Sequence, residues 1–142
     1  MEEVLKFLQE AKTFYLASVE KDQPKVRPLG FVMIYEGKLS FCTNNKKDMF
    51  KQMKANPKIE ICACTPDKKW LRICGNVAFN SGRAAKEKAL EIMPVLKNMY
   101  SADDGIFEIF HFENAHAVFS DMQGGKKEIK ILPEGRAAEV SP

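Results

Sequence analysis

Apolar runs separated by short polar turns make up most of the chain, and three stretches instead have helical character. Apolar residues recur every three to four positions over residues 2–12, which predicts an amphipathic helix. Residues 83–93 are rich in Ala, Glu and Lys, which favour helices, and Pro94 follows them. A third helix is predicted over residues 46–55, where Asn56 and Pro57 end it.

The remaining apolar runs predict seven or eight mostly antiparallel strands. They lie at residues 13–19, 25–34, 39–43, 58–65, 70–80, 106–112, 115–119 and 128–132. Pro28 lies inside the second run, which indicates an edge strand or a bulge. No regular alternation of strand and helix occurs, and no glycine fingerprint of a dinucleotide fold is present. The pattern therefore predicts a mainly β (α+β) protein built as a small antiparallel barrel with flanking helices.

Length and composition indicate one globular domain. The chain has 142 residues, of which 45% are hydrophobic and 29% charged. We predict a folded domain over residues 1–132 and a mobile tail over residues 133–142, which have little to bury. No apolar run is long enough for a membrane span, and the first residues do not resemble a secretory signal, so we expect a cytoplasmic protein. The net charge of +3 suits a small anionic ligand better than a nucleic acid.

The cysteines and histidines do not have the spacing of a metal site. All four cysteines lie in apolar runs without C-x-x-C spacing, so we expect free thiols in the core. Cys62 and Cys64 should share one side of a strand. His111 and His116 lack a third ligand at useful spacing, and we predict structural roles for them and no metal.

The segment FCTNNKKDMFKQMKANP, residues 41–57, predicts a phosphate-binding site. A strand ends in the polar residues Thr43 and Asn44, and a helix follows whose free backbone N–H groups favour an anion. Two lysines at the start of this helix oppose its dipole unless something negative lies near them. Lys47 and Lys51 are four residues apart and share a face. Asn45 and Asp48, three residues apart, have the spacing of a capping pair at the start of this helix. The alternative is a solvated basic face with an ordinary cap.

The order of elements, together with four segments, resembles the pyridoxamine 5′-phosphate oxidase-like family of split β-barrel proteins that bind flavin mononucleotide (FMN). These segments are VRPLGF from Val26, FCTNNKKDMFKQMKANP, WLRICG from Trp70 and GRAAKEKALEIMP from Gly82. The likeness extends over most of the chain and is greatest for the small, nitroimidazole-resistance-like branch. It implies that FMN lies between the two subunits of a homodimer. The residues it assigns to the cofactor are Arg27, Pro28 and Leu29 along the cleft, Thr43, Asn44 and Lys47 near the phosphate, with Lys51 as a substitute basic group, and Trp70 near the flavin ring.

The resemblance implies an FMN-dependent oxidoreductase that acts on a small organic acceptor, with NAD(P)H as the candidate electron donor. Pyridoxamine phosphate oxidases hold their substrate with paired arginines near the C-terminus, and only Arg136 occurs here, which argues against vitamin B6 oxidation. No side chain is assigned as a catalytic acid, base or nucleophile, because the cofactor would carry the redox chemistry. The alternatives are a non-catalytic flavin or small-ligand binding module, a heme-handling split-barrel protein and a nucleic-acid binder.

Overall fold

Nine β-strands and three α-helices lie within residues 1–140, the part of the chain that the computed structural model describes. The strands are β1 (Phe14–Glu20), β2 (Gln23–Leu29), β3 (Met33–Tyr35), β4 (Lys38–Asn44), β5 (Lys58–Cys64), β6 (Trp70–Asn80), β7 (Phe107–Ser120), β8 (Lys126–Ile131) and β9 (Ala137–Glu139). The helices are α1 (Glu2–Ala11), α2 (Asp48–Ala55) and α3 (Arg83–Ile92), and a 3₁₀ helix follows at Pro94–Asn98. This confirms the predicted mainly β (α+β) class.

The strands form one antiparallel sheet whose order is β2-β1-β5-β6-β7-β4-β3. Strand β7 has β6 along one edge, while its other edge pairs first with β4 and then with β8. The sheet divides where β7 changes partner, and it does not close, so the barrel is split as predicted. Strand β2 is an edge strand, which explains why Pro28 is tolerated there.

A β-bulge between Asn76 and Val77 bends β6 where it crosses β7. Gly75 lies directly before the bulge and packs against the backbone of β7. A Cβ atom at this position would lie 2.1 Å from the carbonyl oxygen of Asn114, so glycine is needed for the close approach.

Alternation along the strands gives the sheet an inner face, which packs on the main core, and an outer face. In β5 the side chains of Ile59, Ile61 and Ala63 are buried on the inner face. The core beneath them includes Val4 and Leu8 of α1, which confirms the predicted amphipathic helix.

Three thiols lie on the outer face, so the prediction that every cysteine lies in the core is wrong for them. Cys62, Cys64 and Cys74 are exposed, because they occupy the alternate positions of β5 and β6. Cys42 is largely covered, and burial raises the pKa of its thiol to about 12. A cysteine in an apolar strand is buried only if its position in the alternation points to the core, and the apolar character of the segment does not give that position.

The C-terminal segment continues the sheet beyond the predicted domain boundary at residue 132. Strand β9 pairs with β8, and the amide of Leu132 donates to the carbonyl oxygen of Arg136 at 2.8 Å. Residues 137–139, predicted as part of a mobile tail, therefore form a strand, while residues 141 and 142 of that tail lie outside the described residues. Within residues 1–140 no helix is long and apolar enough to cross a membrane.

Candidate functional site

A cleft of about 650 Å³ opens between β2 and the start of α2. Its lining consists of Glu20 at the end of β1, residues 25–29 of β2, residues 46–49 and Gln52. This volume is in the range of small-molecule binding sites. We call it the Arg27 cleft.

Arg27 points to the inner face of the sheet, where a group of hydrogen bonds holds its guanidinium. Its Nη1 donates to the hydroxyl of Ser18 at 2.7 Å and to the carbonyl oxygen of Leu16 at 3.1 Å. Its Nη2 donates to Oε1 of Gln52 at 2.7 Å. Ser18 and Gln52 are buried, and the Ser18 hydroxyl also donates to Gln52 Oε1 at 2.5 Å. The guanidinium is therefore fixed before any ligand arrives.

The oxygens that accept these hydrogen bonds are all neutral, so they orient the charge of Arg27 without cancelling it. Burial lowers the pKa of Arg27 below its ordinary value, and the charge of Asp48 opposes that shift. Arginine nevertheless stays cationic in proteins. A bound anion would offset the cost of burying this charge, so the cleft favours a negatively charged ligand.

The first turn of α2 adds a second source of positive potential to the same cleft. The helix begins at Asp48 with Lys47 as its N-cap, two residues later than predicted, and no side chain within residues 1–140 caps it. The predicted pairing of Asn45 with Asp48 is absent there: the backbone N–H of Asn45 donates to the carbonyl oxygen of Ile106 at 2.9 Å, and its side-chain Nδ2 donates to that of Gly105 at 2.8 Å. An uncapped helix start leaves backbone N–H groups available to an anion.

The structure brings together only part of the predicted set of site residues. Arg27, Pro28, Leu29 and Lys47 line the Arg27 cleft. Lys51 is exposed on α2 and does not line the cleft. Trp70 lies on the outer face of β6, the opposite side of the sheet from Arg27, and lines a different cleft.

Thr43 and Asn44 are consecutive in β4, so their side chains point to opposite faces. The Asn44 side chain donates to the hydroxyl of Tyr100 at 2.8 Å and accepts from the amide of Lys46 at 3.0 Å. These bonds shape the turn before α2. The hydroxyl of Thr43 is buried, and it is the one such side-chain oxygen or nitrogen in the described residues without a hydrogen-bond partner. Neither residue lines the cleft.

Sequence reasoning missed Ser18, Glu20 and Gln52. Gln52 connects the other two, since its Nε2 donates to Glu20 at 3.3 Å while its Oε1 accepts from Ser18 and Arg27. The many lysines around Gln52 in this helix gave no signal that its side chain would be buried. Alternation in β1 offered one signal, because it places Ser18 on the same side as the buried Phe14 and Leu16.

The donors of the cleft fit the phosphate of a flavin nucleotide. A phosphate binds arginine, lysine and helix N-terminal amides, and the cleft presents all three kinds of donor around Arg27 and Lys47. Pro28, Leu29 and Met49 add apolar surface of the kind that a flat ring requires.

The comparison with protein families agrees with this architecture. A family model described as pyridoxamine 5′-phosphate oxidase matches residues 1–131. The chain belongs to the pyridoxamine 5′-phosphate oxidase family. The family predicted from the sequence is thus confirmed, whereas a search of curated proteins found no match.

Several solved structures share the fold of this chain. A NimC/NimA family protein from Clostridium acetobutylicum is 46% identical, with a TM-score of 0.89, and the alignment covers 92% of this chain and 91% of that one. A pyridoxamine 5′-phosphate oxidase-related, FMN-binding protein from Nostoc punctiforme is 16% identical, with a TM-score of 0.62 and coverages of 99% and 96%. A heme-binding protein from Mycobacterium smegmatis is 14% identical, with a TM-score of 0.67 and coverages of 85% and 56%. At such low identity the last two show the fold alone.

Proposed function

We propose that this protein binds FMN in the Arg27 cleft and acts as an FMN-dependent oxidoreductase on a small organic acceptor. The observation that carries the proposal is the guanidinium of Arg27, which neutral hydrogen-bond partners hold beside the uncapped start of α2. The guanidinium is held in place by neutral oxygens, and the four cationic side chains that line the cleft outnumber its two carboxylates, Glu20 and Asp48. This excess of positive charge suits a dianionic phosphate. Membership of the family and the FMN-binding neighbour with the same fold support the choice of flavin.

The residues of the cleft divide into two groups by their chemistry. Arg27, Lys47 and the first amides of α2 would hold the phosphate, while Pro28, Leu29 and Met49 would supply apolar contacts to the ring system. When bound, the flavin supplies the redox chemistry, taking electrons from a donor such as NAD(P)H and passing them to the acceptor.

We also propose a homodimer in which a second copy covers the outer face. Tyr15 and Val26 are 51% and 68% exposed on that face, which is a large exposure for apolar side chains of a sheet. Glu60 and Arg72 lie on the same face and pair at 2.8 Å, so one charged pair is already neutralised within the chain. Trp70 lies on this outer side, and a second copy would have to supply the tryptophan that the resemblance assigns to the flavin ring.

The direct test is the visible spectrum of the purified protein, followed by titration with FMN and with riboflavin. We expect saturable binding of FMN and much weaker binding of riboflavin, because riboflavin lacks the phosphate. Equal affinity for the two would contradict the phosphate site, and no binding of either would contradict the flavoprotein assignment.

Turnover separates an enzyme from a binding module. The FMN-loaded protein should oxidise NAD(P)H in steady state when a quinone or nitroaromatic acceptor is supplied. Retention of FMN without turnover across a panel of acceptors and both nicotinamide donors would indicate a flavin-binding module.

Sedimentation at several protein concentrations, with Val26→Asp as the variant of the outer face, tests the homodimer.

A further inference from the structure

Three of the four thiols lie on two adjacent strands of the outer face. Cys62 and Cys64 occupy alternate positions of β5, and Cys74 lies on β6, where it pairs with Glu60. All three are exposed, whereas Cys42 of β4 is largely covered. We call the exposed three the outer-face thiols. They are concentrated on the face for which we propose a second copy.

The outer-face thiols cannot form a disulfide with one another unless the backbone moves. Cys62 and Cys64 are two strand positions apart, or about 6.6 Å, and their Cα–Cβ bonds are parallel. Cys62 pairs with Arg72, so Cys74 is its diagonal neighbour, and the Cα atoms of such residues are about 7–8 Å apart. Cys64 and Cys74 are farther apart still. A disulfide requires Cβ atoms about 3.5–4.5 Å apart. Disulfide formation by these thiols therefore requires a sulfur from another molecule.

Two of the outer-face thiols adjoin residues that the proposed homodimer uses. Cys62 pairs with Tyr15 of β1, whose side chain is exposed on the same face. Cys64 pairs with Trp70, the side chain that a second copy would have to supply to the flavin ring. Directly paired residues have Cβ atoms about 4.5–5.5 Å apart, so a bulky group attached to either sulfur would cover its neighbour.

We propose that the outer-face thiols are sites of mixed-disulfide formation with a small thiol compound, and that this modification prevents the pairing of two copies. The effect on pairing rests on the homodimer proposed above. A bulky adduct and a second copy compete for the same surface. By linkage, each lowers the equilibrium constant of the other by the same factor.

The chemistry is thiol–disulfide exchange, with a small disulfide as the oxidant. A thiol of the chain loses its proton, and the thiolate attacks one sulfur of the small disulfide. The S–S bond of the reagent breaks, a new S–S bond to the cysteine forms, and the other half of the reagent leaves as a thiolate that takes up a proton. The cysteine is oxidised and the small disulfide is reduced.

The experiment compares the chain before and after treatment with oxidised glutathione, with and without FMN. Burial raises the pKa of Cys62, so the exchange is carried out at mildly alkaline pH. Peptide mass spectrometry identifies the modified cysteines, and sedimentation gives the dissociation constant of the dimer. We expect adducts on the outer-face thiols and not on Cys42, and a dissociation constant about tenfold higher after modification. Dithiothreitol should reverse both changes.

Two controls separate the bulk of the adduct from the chemistry of the thiol. Methyl methanethiosulfonate attaches only a methylthio group to the same sulfurs and should change the dissociation constant by less than about twofold. The triple variant Cys62→Ser, Cys64→Ser, Cys74→Ser retains Cys42 and lacks the outer-face thiols. Oxidised glutathione should therefore neither modify this variant nor weaken its dimer.

Three results would overturn the proposal. They are an absence of adducts on the outer-face thiols, a disulfide between two of them within one chain, or a dimer that glutathione adducts leave unchanged. A chain that is monomeric before treatment would instead contradict the homodimer, and the effect on pairing with it. Because the measurements are also made without FMN, failure of the flavin site leaves them intact.

Discussion

Two arginines on opposite faces of the same sheet have different surroundings. Arg27 of β2 points inward and donates to neutral oxygens, including those of Ser18 and Gln52. Arg72 of β6 points outward and donates to the carboxylate of Glu60 at 2.8 Å, and this hydrogen bond raises the pKa of Arg72. The carboxylate of Glu60 neutralises the charge of Arg72, whereas the neutral partners of Arg27 only orient its guanidinium. The kind of hydrogen-bond acceptor, neutral or charged, therefore distinguishes an arginine that can bind an anionic ligand from one that cannot.

The largest expected difference between the interior and the outer face is in the reactivity of the cysteine thiols. Burial raises the pKa of Cys42 from 9.0 to about 12, so its thiolate fraction near neutral pH is about a thousandfold lower than that of an ordinary thiol. Cys42 should accordingly react far more slowly with an alkylating reagent than the exposed Cys62, Cys64 and Cys74, as timed labelling and peptide mass spectrometry would measure.

Dilution of the protein sharpens this labelling experiment. If a second copy covers the outer face, the three exposed thiols should react more slowly as the protein concentration rises, while Cys42 stays slow throughout. Labelling of Cys42 at the rate of the other three would contradict its burial.

The next largest effect is expected when Arg27 or Arg72 is replaced by methionine. Arg27→Met should weaken FMN binding about fiftyfold, the scale expected for loss of a charged hydrogen-bond donor, and should leave riboflavin binding nearly unchanged. Arg72→Met is the matched control and should change neither affinity by more than about twofold. FMN and riboflavin titrations would measure all of these, and equal losses for the two variants would contradict the assigned role of Arg27.

A smaller effect is expected from Gln52→Leu, which removes the acceptor shared by Ser18 and Arg27. FMN affinity should fall about tenfold, and the free energy of unfolding by about 1–3 kcal/mol, because buried donors lose their acceptor. Lys51→Leu changes the neighbouring exposed position of α2 and serves as control. An unchanged ratio of FMN to riboflavin affinity in Gln52→Leu would show that Gln52 supports the fold without positioning Arg27.

The smallest expected effect concerns the buried His111. Burial lowers the pKa of this imidazole in the folded chain below its ordinary value of 6.5. Below pH 6.5 the unfolded chain therefore binds the proton more readily than the folded chain, so the contribution of His111 to stability is lost as the pH falls. Denaturant unfolding at several pH values should show this loss, and His111→Gln should make the dependence shallower. An equally steep dependence in the variant would exclude His111 as its cause.

The sequence was sufficient to predict the three helices, most strands and the antiparallel split barrel. These features depend on local patterns, such as the spacing of Val4 and Leu8 in α1 and the alternation of Ile59, Ile61 and Ala63 in β5. It was also sufficient to place Arg27 and Lys47 together, since the family resemblance covers both segments. The short C-terminal strand was missed, because β9 has few apolar residues and depends on pairing with β8.

Only the tertiary structure determined which polar side chains meet. Ser18, Arg27 and Gln52 come from β1, β2 and α2, and nothing in their local sequence predicts that they share hydrogen bonds. Conversely, Thr43 and Asn44 are neighbours in sequence but face opposite sides of β4, and Trp70 lies across the sheet from Arg27. Local patterns determine which side of a strand a residue occupies, but the distance between side chains from different elements is set by the packing of the sheet and helices.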